Sequence, residues 1–169
     1  MAIDLKRAVF PDDAAVLQRL FRGYLEFLFE RAPEQRSAVE SKYDPARIPQ
    51  LVEDFARIHA RPKGELLIAW LDGEAVGCAM MRELEPGIVE IQRVFVAPVA
   101  RGLGLGKALT LALVEQARAD GQSTMRLDTG AKLREAVGLY TSLGFRERSA
   151  YHNDTPALDD ILCFFELQL

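Results

Sequence analysis

The sequence is poor in the residues that commonly staple small proteins together. Its 169 residues include two cysteines and two histidines. Cys78 and Cys163 lie far apart in apolar segments with no Cys-x-x-Cys pairing. That excludes a cysteine zinc site and gives no sign of a disulfide framework. His59 and His152 stand in no metal-ligand spacing, so each reads as structural or solvent-facing, and no metal is expected. No apolar run approaches the roughly 20 residues of a membrane span. The start, Met1-Ala2-Ile3-Asp4, lacks a secretory pattern, so the expected setting is cytoplasmic, with no membrane partner. Positive charge is also in deficit, with 21 Lys+Arg against 25 Asp+Glu and a net charge of −4. With no basic helix and no zinc-finger spacing, no nucleic-acid partner is expected. Linkers rich in glycine, serine or proline are missing, as are repeats. A hydrophobic content of 49% and a charged content of 27% are ordinary for globular chains. One domain spanning 1–169 is expected, burying about 70% of what the unfolded chain exposes.

What is present is a clear alternation of periods. Leu5–Phe10 reads as a strand, and Pro11 with Asp12 and Asp13 opens a helix. Leu17, Leu20, Phe21, Tyr24 and Leu28 form that helix's apolar face. Asp44-Pro45 caps a second helix with its stripe at Ile48, Leu51, Val52, Phe55 and Ile58. From Glu65 the period shortens to that of strands: Leu66–Leu71, Glu74–Arg82 after the tight-turn dipeptide Asp72-Gly73, and Ile88–Val96 after Pro86-Gly87. An amphipathic helix through Leu105–Ala117, ended at Gly121, comes next. Strand Thr124–Asp128, helix Leu133–Ser142 and strands Phe145–Tyr151 and Ile161–Leu169 complete the chain. This order predicts the α/β (α+β) class: a mixed, mainly antiparallel sheet with helices on both faces, not an alternating doubly wound fold.

The most informative segment is Val94-Phe95-Val96-Ala97-Pro98-Val99-Ala100-Arg101-Gly102-Leu103-Gly104-Leu105-Gly106-Lys107. A strand feeds a loop with glycine at every second position, and a long helix begins there. Unpaired N–H groups at a helix start carry partial positive charge, and glycines let phosphate oxygens approach them. The dinucleotide pattern GxGxxG fails, because its last glycine falls on Lys107 or Leu109. The P-loop pattern GxxxxGK[ST] fails at Arg101 and Ala108.

The pattern [Gln/Arg]-x-x-Gly-x-[Gly/Ala] is met by Arg101, Gly104 and Gly106. With it, Glu90–Val96 followed by Pro98 resembles the fourth strand of the GNAT superfamily of N-acetyltransferases, and Leu127-Asp128-Thr129 resembles the fifth. Ala136-Val137-Gly138-Leu139-Tyr140, with Gly144-Phe145, resembles the helix and turn that follow. The resemblance implies that acetyl-CoA lies between those strands. Its pantetheine arm would follow the backbone at Val94, Phe95 and Val96, and its pyrophosphate would lie at Arg101 through Lys107. It also implies transfer of an acetyl group to a primary amine by a direct, sequential route. Tyr140 matches the tyrosine that acts as general acid in such enzymes, against the alternative that it only packs beneath the cofactor. Glu90 is the candidate base, against the alternatives of a strand-end charge or an ammonium binder. Leu133 departs from the superfamily, which commonly has asparagine there. Lys132 and Arg134 are near enough for the adenosine phosphate, and also fit an ordinary solvated surface.

The rest of the chemistry is plainer. Gln92 and Arg93 line an acceptor site or a solvated face, with Arg93 read as structural or as a counter-ion for Glu90. Cys78 reads as core. Trp70, Phe21, Tyr24, Phe27 and Phe29 read as core, in the region where an acceptor pocket would be walled. Asp154, Asp159 and Asp160 either draw a cationic amine or form a solvated acidic loop. Pairing of Ile161–Leu169 with a second copy would give a homodimer. The acceptor is a small-molecule or peptide amine; a non-catalytic acyl-CoA sensor is the rival reading. One charge feature stands out: Ile91–Val114 holds no acidic residue but contains Arg93, Arg101 and Lys107.

Overall fold

The computed structural model describes residues 1–154 and 156–169, without the side chains of Asp159 and Asp160. The acidic-loop expectation therefore falls partly outside the described residues, and Asp154 is exposed. Seven strands form one sheet: β1 Ile3–Arg7, β2 Gly64–Leu71, β3 Glu74–Glu85, β4 Ile88–Val96, β5 Thr124–Gly130, β6 Arg146–Arg148 and β7 Leu162–Gln168. Their spatial order is β1-β2-β3-β4-β5-β7-β6. Among the described residues β4 with β5 is the one parallel pair. The helices are α1 Ala14–Arg31, α2 Arg36–Lys42, α3 Ile48–Ile58, α4 Leu105–Ala119 and α5 Arg134–Ser142. None is long and apolar enough to cross a membrane.

Two cores flank the sheet, as the apolar stripes require. α1 and α3 bury Leu17, Phe21, Val52 and Phe55 against Ile68, Cys78 and Met80 on one face. α4 buries Leu105, Leu109 and Leu113 against Ala79, Val89 and Met125 on the other. Burial pushes the Cys78 thiol up to about 12, consistent with a core residue.

Several sequence expectations shift. β1 ends at Arg7, and α1 starts after Asp13, because Asp13 accepts the Val9 N–H at 2.7 Å and holds residues 10–13 in a turn. α2 was not foreseen; it is seven residues long and buries only Val39, too few for a readable stripe. Asp44 does cap, accepting from the Ala46 N–H at 2.9 Å. The Asp72-Gly73 turn has positive φ at both residues, the geometry of a two-residue hairpin. β7 lies between β5 and β6, with β6 covering Phe164–Glu166 of its outer edge.

His59 closes α3 onto the sheet. It is buried, with Nδ1 3.0 Å from the Met81 carbonyl, which can only accept, so Nδ1 carries the proton. Nε2 is then free to accept from Arg93 Nη1 at 3.1 Å. Burial lowers the imidazole from 6.5 to about 4. Between those values the unfolded chain binds a proton that the folded chain refuses, so stability falls as pH drops through the window. The loss over the whole window is about 3 kcal/mol. Denaturant titrations from pH 7 to 4 should show it, with a shallower slope in His59→Gln; an equal slope in the variant would contradict the assignment.

Candidate active site

The site begins where the sheet comes apart. β4 pairs with β5 only at Ile88, Val89 and Glu90, opposite Thr124, Met125 and Arg126. Beyond that point β4 continues along β3 and β5 continues along β7, and the two diverge. The β5-facing edge of Ile91–Val96 is therefore left without a strand partner among the described residues. A cavity of about 200 Å³ occupies the gap. Val94 and Gln92 line one side, Asp128 and Thr129 the other, with Tyr140 of α5 and Tyr24 of α1 also on its walls. Room of that size suits the reacting end of a small molecule.

At the open end of β4 lies the glycine loop. Gly102 and Gly104 have φ of +80° and +76°, and a Cβ on either would meet nothing within 4 Å, so the backbone is bare. Gly104 opens α4 with no side-chain cap. None of the backbone N–H groups from Gly102 to Lys107 donates to another backbone group. Six such groups at the start of a 15-residue helix form a cradle for an anion. Arg101 adds charge at its rim: its guanidinium lies 4.8 Å from the Phe27 ring centre, and its Nε donates to the Val96 carbonyl at 3.4 Å. Lys107 and Leu103 are exposed, whereas Leu105 is buried and anchors the helix. The donor set fits a pyrophosphate.

The other predicted residues are placed as follows. Tyr140 is buried against Phe145, with ring centres 5.7 Å apart. Burial first, and then the charge of Asp128, raises its phenol above the ordinary range, so it is a protonated donor at neutral pH. The Phe95 side chain packs into the core edge-on to Tyr24, leaving only its backbone for the cleft. Glu90 is 2% exposed and sits at the fork itself. Gln92 Nε2 donates to it, and Arg82, directly across on β3, has its Nη2 3.6 Å away. Arg93 is not its counter-ion. A β-bulge places Arg93 and Val94 opposite Ala79, with Arg93 at φ +54°, which turns its side chain toward α3. Lys132 and Arg31 are paired with Glu34 and Glu135, tying the α5 end of the cavity to the α1 end.

Sequence reading missed a cluster. Glu90 on β4, Asp128 on β5 and His152 after β6 bring one side-chain atom each within 4.8 Å of one another. The Asp154 N–H donates to His152 Nδ1 at 3.4 Å, so His152 Nε2 donates to Asp128 Oδ2 at 2.6 Å. Three such groups could also ligate a divalent ion, but here two of the ligand atoms are bonded to each other. Tyr151 covers the cluster; burial and the charges of Glu90 and Asp128 raise its phenol, keeping it neutral. The only signals in the sequence were Asp128 within the Leu127-Asp128-Thr129 strand and a histidine in a polar loop.

Residues 22–145 match the Acetyltransferase (GNAT) family. An uncharacterized N-acetyltransferase of Schizosaccharomyces pombe is 30% identical over 162 residues, 91% of this chain and 90% of that protein. The PaiA N-acetyltransferase of Thermoplasma acidophilum, solved with coenzyme A, superposes with a TM-score of 0.77 at 16% identity, covering 100% of both chains. An acetyltransferase structure from Salmonella typhimurium, solved with its cofactor acetyl-CoA, gives 0.72 at 20% identity, covering 100% of this chain and 95% of that one. The split sheet, the glycine cradle and the family match lead to one assignment: the chain belongs to the GNAT family of acetyltransferases.

Proposed function

We propose that the chain acts as one catalytic domain that moves the acetyl group of acetyl-CoA to a primary amine by direct transfer. The observation that carries this reading is the run of unbonded N–H groups from Gly102 to Lys107 at the mouth of the split between β4 and β5. Arg101 and that run would hold the pyrophosphate, and the free backbone edge at Val94 and Val96 would hold the pantetheine arm. Acetyl-CoA, when bound, supplies an activated thioester.

The chain's own groups handle the protons. An amine with a lysine-like pKa near 10.4 must lose one to attack the acetyl carbon. Asp128, the member of the cluster that lines the cavity, receives it, with Glu90 behind and His152 fixing the carboxylate. Glu90 thus serves as base through the cluster rather than by facing the amine itself. As the C–S bond breaks and the N–C bond forms, Tyr140 gives its proton to the departing sulfur. Placing amine and thioester together supplies much of the rate without a covalent enzyme intermediate. A sensor that only bound the cofactor would have no use for a protonated tyrosine facing a carboxylate across the same cavity, which favours the enzyme.

Thiol release with acetyl-CoA and an amine panel tests the reading. Tyr140→Phe should lower kcat by about 100-fold while retaining cofactor affinity; unchanged turnover would remove it as the acid. In Asp128→Asn, kcat should fall by about 100-fold or more. Full activity in that variant would assign the base elsewhere.

A further inference from the structure

Among the described residues Arg93 is a charged group without a counter-charge. Its guanidinium lies 4.1 Å from the ring centre of Phe55 and 5.2 Å from that of Tyr43. Its Nη1 donates to Gln92 Oε1 at 2.8 Å and to His59 Nε2, both neutral acceptors. Among the described residues no carboxylate lies within 4.0 Å of it. Its Nε is buried without a partner, and among the described residues no hydrogen bond is made by Nη2, on a residue that lines the cavity. Elsewhere in this molecule the same Nε and Nη2 edge grips a carboxylate: Arg7 holds both oxygens of Glu65 at 2.8 Å. A buried N–H with no acceptor is costly, and a cation without a counter-charge beside a cavity is a ready partner for an anion.

A second observation points the same way. Lys42, also on the cavity wall, lies over the same Tyr43 ring at 5.5 Å and makes no ion pair among the described residues. The other two cations on the wall, Arg31 and Lys132, are already paired. The cavity thus has an uncompensated positive end beside Tyr43 and a carboxylate, Asp128, on its β5 wall. Gln92 links the positive end to the cluster that holds Asp128, donating to Glu90 while accepting from Arg93.

We infer that the acceptor is an amine bearing its own carboxylate, as a free amino acid does, with Arg93 and Lys42 receiving the carboxylate and Asp128 the amine. This rests on the acetyltransferase reading, so the cofactor is tested first, by calorimetric titration with acetyl-CoA. Thiol release is then compared for free amino acids and their amides, which keep the amine and lose the negative charge. The acids should be favoured in kcat/KM by about tenfold or more, mainly through KM, and Arg93→Gln should bring the ratio close to one. A ratio measured within one preparation does not depend on how much of it is folded. Arg93→Lys, which keeps the charge but not the fork, should retain part of the preference. Equal use of acid and amide, an unchanged ratio in Arg93→Gln, or no turnover of any acid by protein that binds acetyl-CoA overturns the proposal. Failure to bind acetyl-CoA overturns the acetyltransferase reading and this inference with it.

Discussion

The structure depends on a ladder that stops. Three paired positions join β4 to β5, and after Glu90 the strands part. A strand edge without hydrogen bonds is ordinarily a liability, because its backbone groups must find partners. Here the unpaired edge lies inside the sheet, flanked by two cores, where no second copy can reach it as an edge strand. The parting also sets the positions of everything else: α1 and α5 wall the gap, the glycine loop closes one end, and the Glu90 cluster marks the fork.

Charge follows the same geometry. An acidic chain leaves Ile91–Val114 without a carboxylate, and the loop in that stretch offers bare N–H groups with Arg101 at the rim. The carboxylates gather instead at the fork, bonded to Gln92 and His152. The proposed phosphate cradle and the proposed proton-handling cluster are thereby kept apart along one strand. The six steps from Glu90 to Val96 span about 20 Å at the rise of an extended strand, shortened somewhat by the bulge.

Local chemistry made much of this legible. The alternation of apolar residues located the strands and long helices, and glycine spacing before a helix located the loop of bare backbone at the start of α4. Tyr140 and Glu90 came from motif matches; Tyr140 lines the cavity, and Glu90 lies at the fork behind Asp128. What escaped depends on distant parts of the chain or on irregular backbone. Asp128 and His152 meet only because β7 inserts between β5 and β6 and folds the intervening loop back. The bulge at Arg93 breaks the period-2 rule that sequence reading relies on, so a residue expected beside Glu90 instead stacks on Phe55.

The central claim is that backbone groups along one side of β4 and at the start of α4 hold the cofactor. Amide hydrogen exchange with and without acetyl-CoA tests it most directly. The account predicts strong added protection for Gly102–Lys107 and for the cleft-facing amides of β4, with little change in β1 or β2. Cofactor binding that leaves Gly102–Lys107 exchanging at their free rates would contradict it.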